Sequence, residues 1–375
     1  MHAPDTSSSD VAGQHAARRL PAALPLWSLL SPWAALGALL LHPGGGGLGL
    51  ALVALLLIAA VLAAVHHAEV VAHRVGEPFG SLVLAVAVTI IEVALIVSLM
   101  LAGGPGASEL ARDTVFAAIM IVCNGVLGLC ILAGGWRHRV LAFRVEGSSP
   151  VLAVLVALAT LTLVLPAFTT SSAGPTFSPA QLVFVGLISL VLYAAYVFVQ
   201  TVRHRDYFLP IEGEDQEAHA EPPGRGVAAI SLGLLLLCLV GVVGLAKLLA
   251  PAIEAAVRSA GAPPSAVGVM VALLVLLPET LAAVRAALRR RLQTSLNLAL
   301  GSGLASIGLT IPAVAILSLL LHTPLVLGLS PVHMVLLALS FVIAGLTLGA
   351  GRVTILQGAV HLVVFAVFLF LAVVP

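Results

Sequence analysis

The sequence predicts an all-α, polytopic membrane protein with about eleven transmembrane helices. The chain of 375 residues is 61% hydrophobic but only 9% charged, whereas an ordinary soluble domain carries about 25% charged residues. Its apolar residues come in runs of about 17 to 25, the length that a helix needs to cross a bilayer. The net charge of +1 provides no basic surface for nucleic acid. These observations exclude a water-soluble fold and a nucleic-acid-binding protein.

Breaks at glycine, proline and charged residues divide the chain into eleven predicted helices. They cover residues 26–42, 48–66, 80–102, 113–134, 150–166, 180–202, 227–250, 266–288, 293–321, 330–348 and 353–375. Residues 1–25 are predicted to form a cytoplasmic tail, and 26–47 an extra N-terminal helix. Residues 203–226 form an acidic cytoplasmic linker, which lacks the ligand spacing and central glycine of a calcium-binding EF-hand loop.

The distribution of basic residues predicts which side of the membrane each connection faces. Fourteen of the 17 lysine and arginine residues fall in one alternating set of connections and helix ends, and three fall in the other set. Basic residues are retained on the cytoplasmic side. The N-terminus is therefore predicted to be cytoplasmic and the C-terminus periplasmic. A wrong number of helices would mix the two sets of connections and weaken this bias. The bias therefore also supports the number eleven.

The third and fourth predicted helices share a design with the eighth and ninth. The first pair reads AVAVTIIEVALIVSLM and DTVFAAIMIVCNGVLGLCIL, and the second reads VALLVLLPETLAAV and QTSLNLALGSGLASIGLTIP. The chain is therefore predicted to hold one extra helix plus an inverted repeat of five and five, with halves at 48–202 and 227–375. An odd number of crossings per half places the copies in opposite orientations. Inverted repeats usually hold the substrate near the bilayer midplane, where the halves meet.

Glu92 and Glu279 are the repeat-related pair, and of the 16 acidic residues only these two are predicted near the centre of a transmembrane helix. A carboxylate at this depth costs about 2.5–3.5 kcal/mol on insertion scales, so such residues usually line a polar path. Two facing carboxylates without a basic partner repel each other, which favours bound protons or a bound cation. Alternation between those states is a cation/proton exchange cycle, with Glu92 and Glu279 as the metal and proton ligands.

Neutral oxygen atoms are predicted to complete the cation site. Thr89 precedes Glu92 by three residues and shares its helix face, while the companion helices provide Asn124, Ser302 and Ser306. An amide in apolar surroundings needs a partner, which favours Asn124 as a ligand. Ser302 lies in the segment GSGLAS, where a small side chain serves close helix packing equally well.

A backbone ligand is predicted beside the second glutamate. Pro278 directly precedes Glu279, and a proline within a helix leaves one carbonyl group without its amide partner. That carbonyl group belongs to Leu274. In the last predicted helix, His361 has no charged partner nearby in sequence, so we expect it to hydrogen-bond to a neighbouring helix.

These motifs resemble the calcium:cation antiporter superfamily, in particular the bacterial calcium/proton antiporters of the ChaA type. The resemblance covers the whole membrane chain and rests on HHAEVVAHRVGEPFG leading into VTIIEVALIVSLM, on RDTVFAAIMIVCNGVLGLC, and on LLPETLAAVRAALRRRLQTSLNLALGSGLASIGLTIP. It implies that Glu92, Asn124, Glu279 and Ser302 form the cation site.

The chain departs from this superfamily at one point. Better-known calcium/proton exchangers place a Gly-Asn pair just before each motif glutamate, whereas this chain has Val88 and Thr89, then Val275 and Leu276. Fewer oxygen ligands would weaken selectivity for calcium. The ChaA-type resemblance itself implies that sodium or potassium is exchanged as well.

A polar cluster follows the second predicted helix and consists of His66, His67, Glu69, His73 and Glu77. On a helix, Glu69, His73 and Glu77 would share one face at steps of four residues. We interpret the cluster as an interfacial helix end. In a functional role it would gate the pathway or admit protons and cations from the cytoplasm, because histidine titrates near neutral pH. A membrane-embedded metalloenzyme built on these histidines is the alternative from another functional class.

The sequence therefore predicts a secondary antiporter of the bacterial inner membrane rather than an enzyme. It would exchange cytoplasmic Ca²⁺, and also Na⁺ or K⁺, for protons, with inorganic cations, protons and lipid as its partners. No glycine-rich phosphate loop is visible, so the proton gradient is the expected energy source, and no cofactor is expected besides the transported ions. A cation/cation exchanger without proton coupling is the alternative transporter.

Overall fold

The computed structural model describes residues 24–41, 46–76, 79–103, 106–209, 222–323 and 325–374. These residues form eleven long helices: α1 (Leu26–Leu41), α2 (Gly47–Val75), α3 (Phe79–Ala102), α4 (Leu110–His138), α5 (Val145–Ala167), α6 (Pro179–Arg203), α7 (Arg225–Ser259), α8 (Ser265–Leu288), α9 (Leu292–Leu321), α10 (Pro331–Gly349) and α11 (Ile355–Val373). A 3₁₀ turn, Arg205–Phe208, follows α6, and two short strands, β1 (Leu141–Ala142) and β2 (Arg352–Val353), pair antiparallel. Most of the predicted tail and the middle of the predicted linker lie outside the described residues.

Nine helices in the described part of the chain are long and apolar enough to cross a bilayer, namely all except α1 and α3. The other two contain shorter apolar stretches, Leu26–Leu41 and Ala85–Leu101. In hydrocarbon each backbone amide must find its partner within the protein, which a helix provides along its own length. The prediction of an all-α, polytopic membrane protein is confirmed.

Helix ends follow local sequence signals. Ser178 and Ser330 cap α6 and α10, and a proline follows each of them at the first helical position. The predicted end of the second helix at residue 66 is wrong, because α2 continues to Val75 and stops at Gly76, which has a φ of 77°. The intervening His, Glu, Ala and Arg residues do not break a helix, whereas glycine readily adopts a positive φ. His66, His67, Glu69 and His73 therefore lie within α2.

Hydrogen bonds between connections sort them into two ends. At one end, β1 and β2 join the α4–α5 and α10–α11 connections. At the other end, Val326 N donates to Ser108 O and Gly328 N donates to Pro175 O, both at 2.9 Å, which joins the α9–α10, α3–α4 and α5–α6 connections. Alternate connections thus meet at the same end, as successive membrane crossings require. We name the first end the arginine-rich end, after Arg137, Arg139, Arg144, Arg205, Arg289, Arg290 and Arg352.

The helix contacts are those expected of an inverted repeat, because equivalent helices of the two halves have equivalent neighbours. α4 lies against α8 and α11, while α9 lies against α3 and α6. One hydrophobic cluster is built mainly from α4, α5, α6, α9, α10 and α11, and a second mainly from α1, α2 and α7. α3 and α8 contribute residues to both clusters. The two glutamate helices therefore lie along the seam between the two parts of the core.

Candidate cation site

Glu92 lies in the middle of α3 and is only 2% exposed. Neither oxygen of its carboxylate has a hydrogen-bond partner. The hydroxyl groups that face it belong to Ser306 and Thr310 of α9, although neither closes a hydrogen bond with it. An ionised carboxylate without a counter-charge is strongly destabilised in such surroundings. Glu92 is therefore a group that requires a bound proton or cation.

Glu279 of α8 differs from Glu92 because it lines an internal cavity. One of its oxygens, Oε2, is nevertheless buried without a hydrogen-bond partner. Glu279 interacts electrostatically with Glu92 and with Glu69. The preceding Pro278 is accommodated within a continuous helix. The fold thus brings the two predicted carboxylates close enough for their charges to interact.

The cavity occupies about 300 Å³ between α3, α6, α8 and α9. Arg205 and Thr294 line it near the arginine-rich end, and Ser306 lines it deep in the bundle. Thr294 and Ser306 are twelve residues apart on α9, which corresponds to about 18 Å of helix at a rise of about 1.5 Å per residue. The cavity therefore extends from the arginine-rich end into the bundle interior.

Three of the predicted neutral ligands, Thr89, Ser302 and Ser306, line this cavity together with Glu279. The Thr89 hydroxyl donates its hydrogen to the carbonyl oxygen of Ala85 at 2.8 Å. Its oxygen lone pairs are therefore free to accept a cation. Carboxylate and hydroxyl oxygens are hard ligands, which suit Ca²⁺ and similar cations.

Leu274 is not among the residues that line the cavity. Its side chain packs against the hydrophobic cluster that α1, α2 and α7 share. The role of its carbonyl group as a backbone ligand stays a prediction.

Asn124 also lies away from the cavity. Its helix, α4, contains a π-helical turn at Ile121–Val126, and within it the Asn124 side chain is completely buried. The amide donates to Ser340 Oγ of α10 at 2.8 Å, and Oδ1 lies 3.4 Å from His361 Nδ1 of α11. His361 Nε2 lies 3.0 Å from Thr347 Oγ1. The expected interhelical role of His361 is confirmed, and the Asn124 amide contributes to the same network instead of facing the glutamates.

The histidines of α2 contact α1. His67 Nε2 lies 2.9 Å from the carbonyl oxygen of Ser28, which ties α2 to α1, while the His66 ring packs on Trp27 with the centroids 5.5 Å apart. Among the described residues, no three His, Cys, Asp or Glu side chains form a group that could hold a metal ion. The structure therefore gives the metalloenzyme alternative no support.

The predicted gate residues have different positions. Glu69 and His73 are exposed on α2, and Glu77 lies outside the described residues. Glu69 interacts electrostatically with Glu279 of the site and is itself attracted by Arg285. Neither Glu69 nor His73 lines the cavity.

Several residues at the site were missed by sequence reasoning. Tyr196 and Gln200 of α6 and Asn297 of α9 line the cavity, while Thr310 faces Glu92. Thr310 follows Ser306 by four residues on the same helix face, so helical periodicity could have identified it. The α6 residues carry no such signal, because only the tertiary packing of α6 against α9 places them there.

Two known proteins resemble the chain along most of its length. The proposed ionic transporter y4hA of Sinorhizobium fredii (strain NBRC 101917 / NGR234) is 50% identical over 362 residues, which cover 94% of this chain and 97% of that protein. The sodium-potassium/proton antiporter ChaA of Escherichia coli (strain K12) is 35% identical over 316 residues, which cover 84% of this chain and 85% of that protein.

The fold itself is also shared with a solved structure. Native YfkE superposes with a TM-score of 0.73 at 15% sequence identity, and the match covers 93% of this chain and 99% of YfkE. The family described as sodium/calcium exchanger protein matches residues 46–202 and 230–374, which together make up most of the chain. The chain therefore belongs to the sodium/calcium exchanger protein family and is a multi-pass membrane transporter of cations.

Proposed function

We propose that this chain is a proton-coupled antiporter of the bacterial inner membrane that exchanges cytoplasmic Ca²⁺, and also Na⁺ or K⁺, for protons. The observation that carries the proposal is the pair of carboxylates, Glu92 and Glu279, from repeat-related helices. Each has a buried oxygen without a partner, their charges interact, and Glu279 lines the cavity.

The exchange cycle follows from charge balance at these two groups. One Ca²⁺, two monovalent cations or two protons would each neutralise both carboxylates. With neither cation nor proton bound, two negative charges would stay in the low-dielectric interior. The empty protein would therefore not readily switch the site from one side of the membrane to the other. Cation release and proton binding are therefore linked, with Thr89, Ser302 and Ser306 as the neutral oxygen ligands of the cation.

The positive-inside rule assigns the arginine-rich end to the cytoplasm. The N-terminus is then cytoplasmic, the C-terminus periplasmic, and the cavity beside Glu279 open to the cytoplasm. A cation from the cytoplasm would reach Glu279 through this cavity before Glu92.

The names of similar proteins support proton coupling. ChaA is named a sodium-potassium/proton antiporter, and YfkE is described as a Ca²⁺/H⁺ antiporter. Both names combine a metal cation with a proton, which favours proton coupling over the cation/cation exchange that the sequence left open.

The proposal is tested by cation-driven proton movement in everted membrane vesicles, followed with a pH-sensitive dye. Ca²⁺, Na⁺ and K⁺ are added separately to wild type, Glu92→Gln and Glu279→Gln. We expect wild type to dissipate the pH gradient and each Gln variant to lose more than about 30-fold in initial rate, equivalent to about 2 kcal/mol.

Glu146→Gln is the matched control, because Glu146 is exposed at the start of α5 and does not line the cavity. Its rate should stay at the wild-type value. Gln variants that transport like wild type would show that the site is wrong. Cation uptake by wild type without any change in lumenal pH would favour the cation/cation exchanger.

A further inference from the structure

An arginine borders the cavity on the side of the arginine-rich end. Among the described residues that line this cavity, Arg205 carries the one positive charge and Glu279 the one negative charge. Arg205 is exposed and, within the described part of the chain, forms no ion pair. The adjacent Asp206 does not line the cavity. A cation that enters from this end therefore passes a positive charge before it reaches the glutamate.

The backbone that carries Arg205 is anchored to the bundle. The 3₁₀ turn Arg205–Phe208 ends at Phe208, which is buried, and Asn297 Nδ2 of α9 donates to the Phe208 carbonyl oxygen at 2.6 Å. Asn297 Oδ1 in turn accepts a hydrogen bond from Gln293 Nε2 at 2.9 Å. These contacts hold the turn against α9, so the charge of Arg205 stays beside the cavity.

Arginines at this end of the molecule have a general explanation, because basic residues mark the cytoplasmic side of membrane proteins. Arg137, Arg139 and Arg290 are exposed at the same end and do not line the cavity. They satisfy the positive-inside rule without bordering the path of the ion. Arg205 differs from them because its charge opposes the entry of a cation.

The strength of this opposition depends on the charge of the ion. The work of bringing an ion past a fixed charge is proportional to the charge of that ion. A potential that lowers the local concentration of a monovalent cation by a factor f therefore lowers that of a divalent cation by f squared. Clefts with low-dielectric walls focus such potentials, whereas salt screens them. One arginine at the entrance thus disfavours Ca²⁺ more than Na⁺ or K⁺.

We propose that Arg205 is a specificity-determining residue, which slows the entry of divalent relative to monovalent cations at the mouth of the cavity. The inference rests on the proposed function, because it takes the cavity as the cytoplasmic entrance for cations. Arg205 acts on the ion through space and is not one of its ligands. It changes the relative rates of entry and leaves the charge balance at the two glutamates as it is.

The test is uptake of radioactive Na⁺ or Ca²⁺ by everted vesicles, in which the proposed topology exposes the arginine-rich end to the added ion. The vesicles are acidic inside and preloaded with the unlabelled ion, so that exchange for protons and exchange for cations both produce uptake. Initial rates are measured at low ionic strength with each ion far below its KM, so that they report kcat/KM. Vesicles without the protein give the background.

Removal of the charge should affect the two ions unequally. We expect Arg205→Gln to raise the initial rate about threefold for Na⁺ and, as the square, about ninefold for Ca²⁺. Arg205→Lys retains the charge and should keep both rates within about twofold of wild type. Arg137→Gln is the matched control, because it removes the same charge from an exposed position that does not line the cavity. Its ratio of Ca²⁺ rate to Na⁺ rate should equal that of wild type.

Ionic strength provides a second measurement, which needs no variant. Choline chloride should raise the ratio of Ca²⁺ rate to Na⁺ rate in wild type, because salt screens the arginine. The same addition should not raise the ratio in Arg205→Gln. If that variant does not accumulate, a wild-type ratio that is independent of salt would by itself overturn the inference.

The inference and the proposed function fail in different ways. Equal gains for Na⁺ and Ca²⁺ in Arg205→Gln, or unchanged rates, would overturn the charge effect. A raised ratio in Arg137→Gln as well would overturn the special position of Arg205 in favour of the general surface potential. If the expected ratios appear but no protons move, proton coupling fails and the role of Arg205 stands.

Discussion

At the scale of single residues, the two glutamates differ in their access to water. Glu279 lines a cavity that extends to the arginine-rich end, whereas Glu92 is 2% exposed and lies near the hydroxyl groups of Ser306 and Thr310. The same carboxyl group thus has two environments, so under the proposed function the balance between proton and cation would be set separately in each. Under the proposed function, an ion from the cytoplasm would exchange its hydration shell for protein oxygens in two steps, first at Glu279 and then at Glu92.

Accessibility of the cavity can be tested by cysteine labelling, because the native Cys123, Cys130 and Cys238 are all buried. We expect Ser302→Cys to react with a membrane-impermeant maleimide in everted vesicles, and high Ca²⁺ or Na⁺ to slow the reaction. Ser295→Cys is the control, because Ser295 lies on the same helix and is 0% exposed. Equal labelling of both positions would contradict the cavity described here.

At the scale of elements, the π-helical turn of α4 decides where Asn124 points. A π-helical turn adds a residue to the local hydrogen-bonded ring, and such turns frequently occur at functional positions. Here it accompanies an amide that joins α4 to Ser340 of α10 and His361 of α11. The network connects three helices of one hydrophobic cluster, which makes that part of the bundle a candidate rigid body.

Asn124→Leu tests this assignment. Loss of the amide would remove one buried partner from Ser340 Oγ and one from His361 Nδ1, although Ser340 keeps Leu336 O and His361 keeps Thr347 Oγ1. We expect this loss to lower the free energy of unfolding by about 1–3 kcal/mol. Thermal unfolding in detergent measures the loss, and KM values for Na⁺ and Ca²⁺ should stay within about twofold because the amide does not face the cavity. A raised KM at unchanged stability would restore Asn124 as a cation ligand.

The 3₁₀ turn Arg205–Phe208 is the element that borders the cavity mouth. Asn297 Nδ2 donates to the Phe208 carbonyl oxygen at 2.6 Å and holds the turn against α9. Arg205 and Phe208 line the cavity. Gly147, at the start of α5, allows the Tyr207 carbonyl oxygen to approach, since a Cβ atom at this position would collide with it.

Gly147→Ala should therefore displace this turn or destabilise the fold by about 1–3 kcal/mol. Thermal unfolding and the rate of cation-driven proton movement report the two effects. Gly233→Ala is the matched control, because Gly233 lies in α7 with no atom within 4 Å of an added Cβ. A Gly147→Ala protein with wild-type stability and rate would show that the close approach to Tyr207 has no consequence.

At the scale of the whole molecule, the seam along α3 and α8 separates two hydrophobic clusters. Relative movement of these two parts would change the surroundings of both glutamates together. Inverted repeats are suited to such movement, because exchanging the conformations of the two halves opens the opposite side. The cavity between α3, α6, α8 and α9 would then have its counterpart between α8, α11, α3 and α4.

The orientation of the whole molecule is testable with exposed positions at the two ends. Val140 lies in the α4–α5 connection at the arginine-rich end, and Ala173 lies in the α5–α6 connection at the opposite end. With buried native cysteines as background, we expect an impermeant maleimide to label Ala173→Cys in spheroplasts and Val140→Cys in everted vesicles. The reverse pattern would invert the proposed topology and assign the cavity to the periplasmic side.

Much of this protein can be predicted from hydropathy and charge. Helix number and fold class follow from the length of apolar runs, because the bilayer sets one length for every crossing. Glu92 and Glu279 stand out because a carboxylate in hydrocarbon is costly wherever its neighbours lie. These properties belong to individual residues and short segments, so they can be evaluated without knowledge of contacts.

The direction and partner of each polar side chain depend on contacts between distant segments. Asn124 was predicted as a ligand, yet it bonds Ser340, which lies 216 residues further along the chain. His67 bonds Ser28 of α1, which lies 39 residues earlier, and Tyr196 reaches the cavity only because α6 packs on α9. Burial favours a partner for each polar group, but which partner it finds is a property of the assembled helices.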